Sequence, residues 1–412
     1  MEKGAGVITE GIESVPEGTV TTPRGFLAGA AKAGVRSDWD KLDVGLVYSE
    51  APCVAAGVYT RNALKGASLL VSMEHLEKGS AQAIVVNAGC ANCSVGERGI
   101  EDAIKMAQLT GTKFGIDPHE VVVASTGVIG TFLPMDRIRR GIETIGVSAD
   151  GGMDFARAIM TTDTRPKHVA VRANGWSMGG VVKGVGMIHP NMATMLCFVT
   201  ADAAVTQPFL AGALKDAVDD SFNMIDIDSD TSPDDTVVVM ANGLAGGEPI
   251  DQGHADANSF RAALRLVCTD LAKQMVADAE GATKTIEARV EGAATREDAR
   301  KAAREIVMSL GVKTAVYGQD PNWGRIISAV GNSGAAMKEE TTALYLSGPD
   351  GKEVCLYSGG VPQAYDPEAA KACLAPREVR MRVTMGLGEA SATAWGSDLT
   401  EDYVRLNSLY TT

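Results

Sequence analysis

Lys183-Gly-Val-Gly-Met-Ile-His-Pro-Asn-Met-Ala-Thr-Met-Leu196 sets a lysine and a glycine-rich turn ahead of a small residue, a threonine and an apolar run that continues to Val199. A threonine hydroxyl is a weak nucleophile unless a base sits beside it. One source of that base is the threonine's own α-amine, which exists only after the preceding peptide bond is cut. Ala193-Thr194 therefore reads as a self-cleavage point, and Thr194 as the nucleophile that the cut exposes. The dipeptide alone favours a strand-start threonine whose methyl packs inward; the frame around it reverses that. Gly184 and Gly186 permit backbone conformations closed to other residues. Pro190-Asn191 enforces a turn just before the bond. A strained turn that offers a hydroxyl to the preceding carbonyl is what an N→O acyl shift needs.

Outward from this segment, strand-like and helix-like runs alternate. Upstream, Gln82–Asn87 and Val121–Ala124 read as buried strands. Glu97–Phe114 reads as a helix, from Ile100, Ala103, Ile104 and Ala107 near helical spacing with Gly115 at the end. Pro134–Ile145 is a second helix, with Pro134 suited to its first turn. Asn174-Gly175 is a hairpin-type turn between Val169–Arg172 and Gly180–Val182. Downstream, Met195–Thr200, Thr236–Met240, Lys284–Val290 and Thr314–Tyr317 are expected as strands. Gln207–Asn223, Ser259–Ala279 and Thr295–Leu310 are expected as helices, the last with Thr295 and Asp298 as cap and acidic N3 residue. The mixture predicts an α/β to α+β fold of helix layers on sheet. A soft boundary lies near Gly281–Lys284, giving domains 1–282 and 283–394.

The chain of 412 residues, 45% hydrophobic and 22% charged, has ample material for a large core, and its length predicts roughly two to three domains. A formal charge of −14 argues against a nucleic-acid partner, which needs a basic footprint, and against polybasic attachment to a membrane. No signal-peptide pattern opens the sequence and no apolar run reaches spanning length. Seven cysteines, an odd number without an export signal, are expected as reduced thiols in a cytoplasm.

Several segments offer chemistry. Ser125-Thr-Gly-Val-Ile-Gly130 follows a strand, and a strand running into a glycine loop points N–H groups into one space. Thr126 and Gly127 are the candidate oxyanion hole, against the alternative of an ordinary strand-to-helix turn. Lys183, between Val181-Val182 and a glycine loop, is the candidate for a substrate carboxylate. Thr161-Thr-Asp-Thr164 reads as a hydroxyl-rich turn or cap. Glu280 is expected at a helix C-terminus, where its charge calls for a cationic partner. Asp226–Thr236 lacks the glycine and glutamate of a calcium loop and reads as a polar loop near the site. Cys90-Ala-Asn-Cys93 lacks the further ligands of a zinc site, so no metal and no cofactor is expected. The tail Asn407–Thr412 reads as a frayed end.

Taken together, Lys183–Leu196, Ser125–Gly130, Met160-Thr-Thr-Asp-Thr164, Asp230-Thr-Ser232 with Asp235-Thr236, Glu280-Gly-Ala-Thr-Lys284, Asp320-Pro-Asn-Trp-Gly-Arg325, Tyr403-Val-Arg405 and Tyr410-Thr-Thr412 resemble the ornithine acetyltransferase (glutamate N-acetyltransferase) family. They run in family order over nearly the full length. The resemblance implies a layered αββα sandwich like that of self-processing aminopeptidases, with a smaller C-terminal α+β domain and the tail 395–412 returning to the site. It implies a chain that cuts itself into 1–193 and 194–412, two copies of each staying together in the cytoplasm. It implies acetyl transfer from N-acetylornithine to glutamate, and leaves acetyl-CoA open as a second donor. Thr194 is then the nucleophile and Thr126 and Gly127 the oxyanion hole. Thr161, Lys183, Thr194, Glu280, Asn407 and Thr412 touch substrate. One segment departs: where the family usually reads Asn-Ser-Gly-Asn-Ala-Asn-Ala, this chain has Asn87-Ala-Gly-Cys-Ala-Asn-Cys93. That change bears on substrate preference, not on the nucleophile. Two rivals carry different chemistry: a self-processing amidohydrolase or aminopeptidase that releases free acid, and an uncleaved amino-acid-binding protein.

Overall fold

The computed structural model describes residues 11–36, 40–189, 195–348 and 350–409. Two mixed sheets organise them. The first has nine strands: β1 (Ile12–Ser14), β2 (Phe26–Ala31), β3 (Val44–Tyr59), β4 (Ser80–Cys90), β5 (Val121–Val128), β6 (Lys167–Ala173), β7 (Trp176–Lys183), β8 (Leu196–Ala201) and, after the two-residue β9 (Ile225–Asp226), β10 (Thr236–Ala241). Their order is β1-β6-β7-β8-β10-β3-β4-β5, with β2 also on β3.

The long strand β3 divides this sheet. Its register against β4 slips between Tyr48 and Cys53. Before the slip it carries β2 and most of β4; after it, Val54 to Tyr59 pair with β10. Such an irregularity bends a strand and increases its twist. Side-chain alternation then sorts the residues into cores. Ile84 and Val86 of β4 share one core with Leu196 and Phe198 of β8 and Val238 and Met240 of β10. The opposite faces lie in two other cores. Ala83, Val85, Val121 and Val123 pack under the helices Glu97–Phe114 and Met135–Thr144 through Met106, Ile138 and Ile142. Cys197, Val199, Val237 and Val239 pack under Gln207–Asp219 and Ala257–Val276 through Leu214, Leu264 and Leu271. The result is a helix–sheet–sheet–helix sandwich, the layered α/β architecture expected.

The second sheet joins β9 to β11 (Thr285–Ala293), β12 (Ala343–Ser347), β13 (Glu353–Ser358), β14 (Val361–Pro362), β15 (Glu378–Thr384) and β16 (Ala390–Ser397), in the order β14-β13-β12-β15-β11-β16-β9. Its own core holds Ile286, Val290, Leu344, Leu346 and Val383 against Ile306 and Val307 of the helix Arg296–Met308.

Most local expectations hold. The helix over Glu97–Phe114 closes on Gly115 at φ +70°. Asn174 and Gly175 take φ +50° and +86° and join β6 to β7 with Ala173 opposite Trp176, the type I′ geometry that suits a right-twisted hairpin. Two expectations do not hold. Thr314–Tyr317 is not a strand but the end of the helix Leu310–Tyr317, whose start is capped by the Ser309 side chain accepting from the Val312 N–H. A run this short carries no period of its own, and the helix brings Val312, Lys313 and Val316 together on the buried side. The helix expected over Ser259–Ala279 ends at Val276, so Glu280 lies beyond it in a turn.

Candidate active site

Because the two layers fold over each other, the end of β7 meets the end of β5. Lys183 Nζ donates to Thr126 Oγ1 at 3.2 Å, and both residues are buried. Next to Thr126, Gly127 sits at φ +129°, and a Cβ there would lie 2.3 Å from the Gly89 carbonyl carbon and 2.6 Å from the Cys90 nitrogen. No other residue fits so close a backbone approach. A buried polar network underlies this turn. Ser125 Oγ lies 2.7 Å from both Ser68 Oγ and Asn87 Oδ1, and Asn87 Nδ2 donates to the Cys90 carbonyl at 2.8 Å. The Cys90 thiol itself points to the Thr131 carbonyl. Burial pushes the Cys90 and Cys93 thiols up from their usual range, which leaves them poorly nucleophilic.

Lys183 is a buried cation without a direct counter-ion among the described residues. Burial pushes its pKa down; Asp163 opposes that, Lys167 adds to it, and Glu280 and Asp235 oppose it from further away. Asp163 is the hub beside it. Its Oδ1 accepts from Lys167 Nζ at 2.6 Å and from the Gly184 N–H at 2.9 Å, and its Oδ2 accepts from the Thr161 N–H at 3.0 Å. Burial alone would raise its carboxyl, but Lys167 and then Lys183 hold it at about 2. Lys167, fully buried, also donates to Asp278 Oδ2 at 2.7 Å. The Thr161 carbonyl accepts from Lys41 Nζ at 2.8 Å. Burial brings Lys41 down to about 8, with Asp163 opposing.

The connection from β7 to β8 is held on both sides. Asp228 accepts from the N–H groups of Met187 and Ile188 at 2.6 and 2.9 Å, with Met187 at φ +57°. His189 Nδ1 lies 3.0 Å from Asp226 Oδ1. On the far side, Asp235 Oδ1 accepts from the Met195 N–H at 2.9 Å, and the Met195 carbonyl accepts from the Thr236 N–H at 3.0 Å. Asp234 and Asp235 are both buried, and burial holds both carboxyls well above the usual range. Ala193 and Thr194, between these anchors, lie outside the described residues, as does Thr412.

Glu280 reaches this region from the turn after the helix Ala257–Val276. Its N–H donates to the Val185 carbonyl at 2.9 Å, and Gly186 lies so close to its carboxylate that a Cβ would come within 2.6 Å of Oε2. The cation expected beside Glu280 is not a direct contact. Its Oε2 accepts from Asn407 Nδ2 at 3.0 Å, and Lys183 feels its charge from a distance. Asn407 belongs to the helix Glu401–Leu409, which starts against Gly281. There Thr400 Oγ1 donates to the Gly281 carbonyl at 2.7 Å, and further along Tyr403 donates to Asp228 Oδ2 at 3.2 Å.

The structure thus brings Thr126, Gly127, Thr161, Lys183, Glu280 and Asn407 around one region. Sequence reasoning missed Asp163, Asp228 and Asp235. Asp163 stood inside a segment read for its hydroxyls, and the other two inside a loop read only as polar. The signal available was their number: four of the eleven residues from Asp226 to Thr236 besides Asp226 itself are aspartates, more than a plain turn needs.

The sequence model of the ArgJ family matches residues 27–412. The chain is 46% identical over 407 residues to the arginine biosynthesis bifunctional protein ArgJ of Dehalococcoides mccartyi (strain CBDB1), which covers 97% of this chain and 99% of that one. It is 48% identical over 402 residues to the protein of the same name from Symbiobacterium thermophilum, at 96% and 99% coverage. Among solved structures it is similar to the ornithine acetyltransferase of Mycobacterium tuberculosis complexed with ornithine, at 34% identity and TM-score 0.42, covering 45% of this chain and 100% of that one.

Proposed function

This chain belongs to the ArgJ family, and from that premise we propose that Thr194, freed by self-cleavage after Ala193, carries an acetyl group from N-acetylornithine to glutamate. The enzyme is an ornithine acetyltransferase of arginine biosynthesis. In the proposed sequence the Thr194 hydroxyl attacks the acetyl carbonyl and its own α-amine takes the proton. The Thr126 hydroxyl and the Gly127 N–H hold the oxyanion, where one such donor is typically worth about 3 kcal/mol of transition-state stabilisation. The C–N bond breaks, the α-ammonium returns the proton to the departing amine, and ornithine leaves an acetyl-threonine ester. The glutamate amine attacks that ester, and N-acetylglutamate departs as the hydroxyl re-forms. Lys183 takes a substrate carboxylate and Glu280 the ornithine ammonium. Thr161, Asn407 and Thr412 complete the substrate contacts.

The observation that carries this reading is the 3.2 Å contact between Lys183 and Thr126. It sets a buried cation beside the candidate oxyanion donor, at the strand end from which the chain runs on to residue 194. The test is Thr194→Ala, which is expected to give one uncut polypeptide without transfer activity; full turnover by that variant refutes the assignment. After incubation of the wild type with N-acetylornithine, mass spectrometry is expected to find one acetyl on the peptide that begins at Thr194.

The word bifunctional in the relatives' shared name leads us to extend the proposal to acetyl-CoA as a second acetyl donor to glutamate. A donor panel with glutamate as acceptor decides it. We further propose that the two cleavage products stay together as two copies of each, in the cytoplasm, where the seven cysteines, all free, stay reduced. Native mass spectrometry reads that stoichiometry directly.

A further inference from the structure

Lys183 poses a physical problem that its neighbours answer. An ammonium taken out of water is costly unless negative charge and hydrogen-bond acceptors compensate for it. Among the described residues its hydrogen bond goes to a hydroxyl, not to a carboxylate. The charged or titratable groups that act on it come from several elements. They are Asp163 and Lys167 from the turn before β6 and the start of β6, Lys41 from the segment before β3, Glu280 from the turn after the helix Ala257–Val276, and Asp234 and Asp235 from the loop before β10. Asp234 and Asp235 are held toward their uncharged forms by burial. Glu280 is half-exposed and already engaged by Asn407. Asp163 is the one buried carboxyl of this group held in its charged form, and it is also tied to the backbone on either side of the site, at Thr161 and at Gly184.

We propose that Asp163 is the positioning residue of this site: it locks the Thr161 turn to the Lys183–Gly184 bend and supplies the fixed negative charge behind the Lys183 ammonium, leaving that ammonium's front free for a substrate carboxylate. The inference rests on the reading that Lys183 takes such a carboxylate. Asp163 touches no reacting atom; it acts through Lys183 and through the two N–H groups that it holds. Lys167 is its counterweight. By pairing with Asp163 and Asp278 together, it keeps the carboxylate charged while drawing off part of its field from Lys183.

The expected consequences have opposite signs. Removing the charge in Asp163→Asn leaves Lys183 with less support, so its proton is lost at lower pH. The basic limb of kcat/KM for glutamate moves down by about one pH unit, and KM rises about tenfold with the cut at Thr194 retained. Lys167→Gln keeps a hydrogen-bonding side chain but removes the competing charge, so the basic limb moves up. A role confined to stability moves neither limb. Should Asp163→Asn fail to fold, Asp163→Glu, which keeps the charge but displaces the carboxylate, is expected to raise KM for glutamate with the basic limb near the wild type, and an unchanged KM there overturns the proposal. Limbs of Asp163→Asn and Lys167→Gln that coincide with the wild type overturn the proposal while leaving the acetyltransferase reading intact. An unchanged KM in Lys183→Met removes the carboxylate reading, and this proposal with it.

Discussion

Lys183 and Lys313 are both buried lysines, yet the protein treats them in opposite ways. Lys313 is saturated: its ammonium lies 3.0 Å from Asp226 Oδ2 and donates to the carbonyls of Ile227 and Ser397 at 3.0 and 3.1 Å. Nothing is left over for a ligand, and its position joins the helix Leu310–Tyr317 to β9 and β16. Lys183 has one hydroxyl as its hydrogen-bond partner, and its counter-charge, on Asp163, acts without direct contact. A buried charge whose requirements are met is scaffold. One whose requirements are partly unmet is held ready for something that arrives.

That contrast is open to direct attack. The largest effect expected is on stability, from Lys313→Met. It leaves Asp226 buried with His189 as its remaining side-chain partner, and breaking a buried pair from one side typically costs about 3–5 kcal/mol. Urea unfolding followed by circular dichroism measures it. A loss under 1 kcal/mol would erase the distinction from that side. Lys183→Met is expected to do the reverse. Stability stays within about 1 kcal/mol of wild type or rises, because an incompletely paired buried charge is removed, while kcat/KM for transfer falls about a hundredfold. Steady-state kinetics on the folded, cleaved variant checks this. The smallest effect belongs to Asn407→Ala. It removes a single hydrogen bond from an exposed tail helix to Glu280, and such a bond is worth about 1 kcal/mol. A rise in KM of no more than about fivefold for N-acetylornithine is expected, with stability unchanged.

What the sequence could tell divides along the same physical lines. The helix over Glu97–Phe114, the Asn174-Gly175 hairpin and the cap at Thr295 are written in local patterns, because spacing and turn chemistry act within a few residues. The segment Lys183–Leu196 drew attention for the same reason, and its residues 190–194 lie outside the described residues. The run Thr314–Tyr317 was not, since four residues carry no period and the decision fell to the Ser309 cap and to the burial of Lys313. Nor was the fold-over at the Tyr48–Cys53 slip, which depends on what β3 pairs with at each end. It is that fold-over which sets Lys183 against Thr126, two residues 57 positions apart. Asp163 escaped notice because its role lies in how one carboxylate gathers the Thr161 N–H, Lys167 Nζ and the distant Gly184 N–H, an arrangement that the Thr-Thr-Asp-Thr string does not spell out. Glu280 was named as a candidate, but its expected place at a helix end is not where it lies. The helix stops short, and the turn that follows aims the carboxylate at Gly186.

The strand order of the first sheet also fixes the fate of a severed chain. β8 and β10, which follow residue 194, lie side by side between β7 and β3, which precede it. A cut after Ala193 would leave every ladder standing, with one fragment threaded through the middle of the other. Molecules so made have no means of trading halves short of unravelling their centre. Isotopically heavy and light batches, stored together under native conditions, should still be composed of wholly heavy and wholly light pairings of the two fragments.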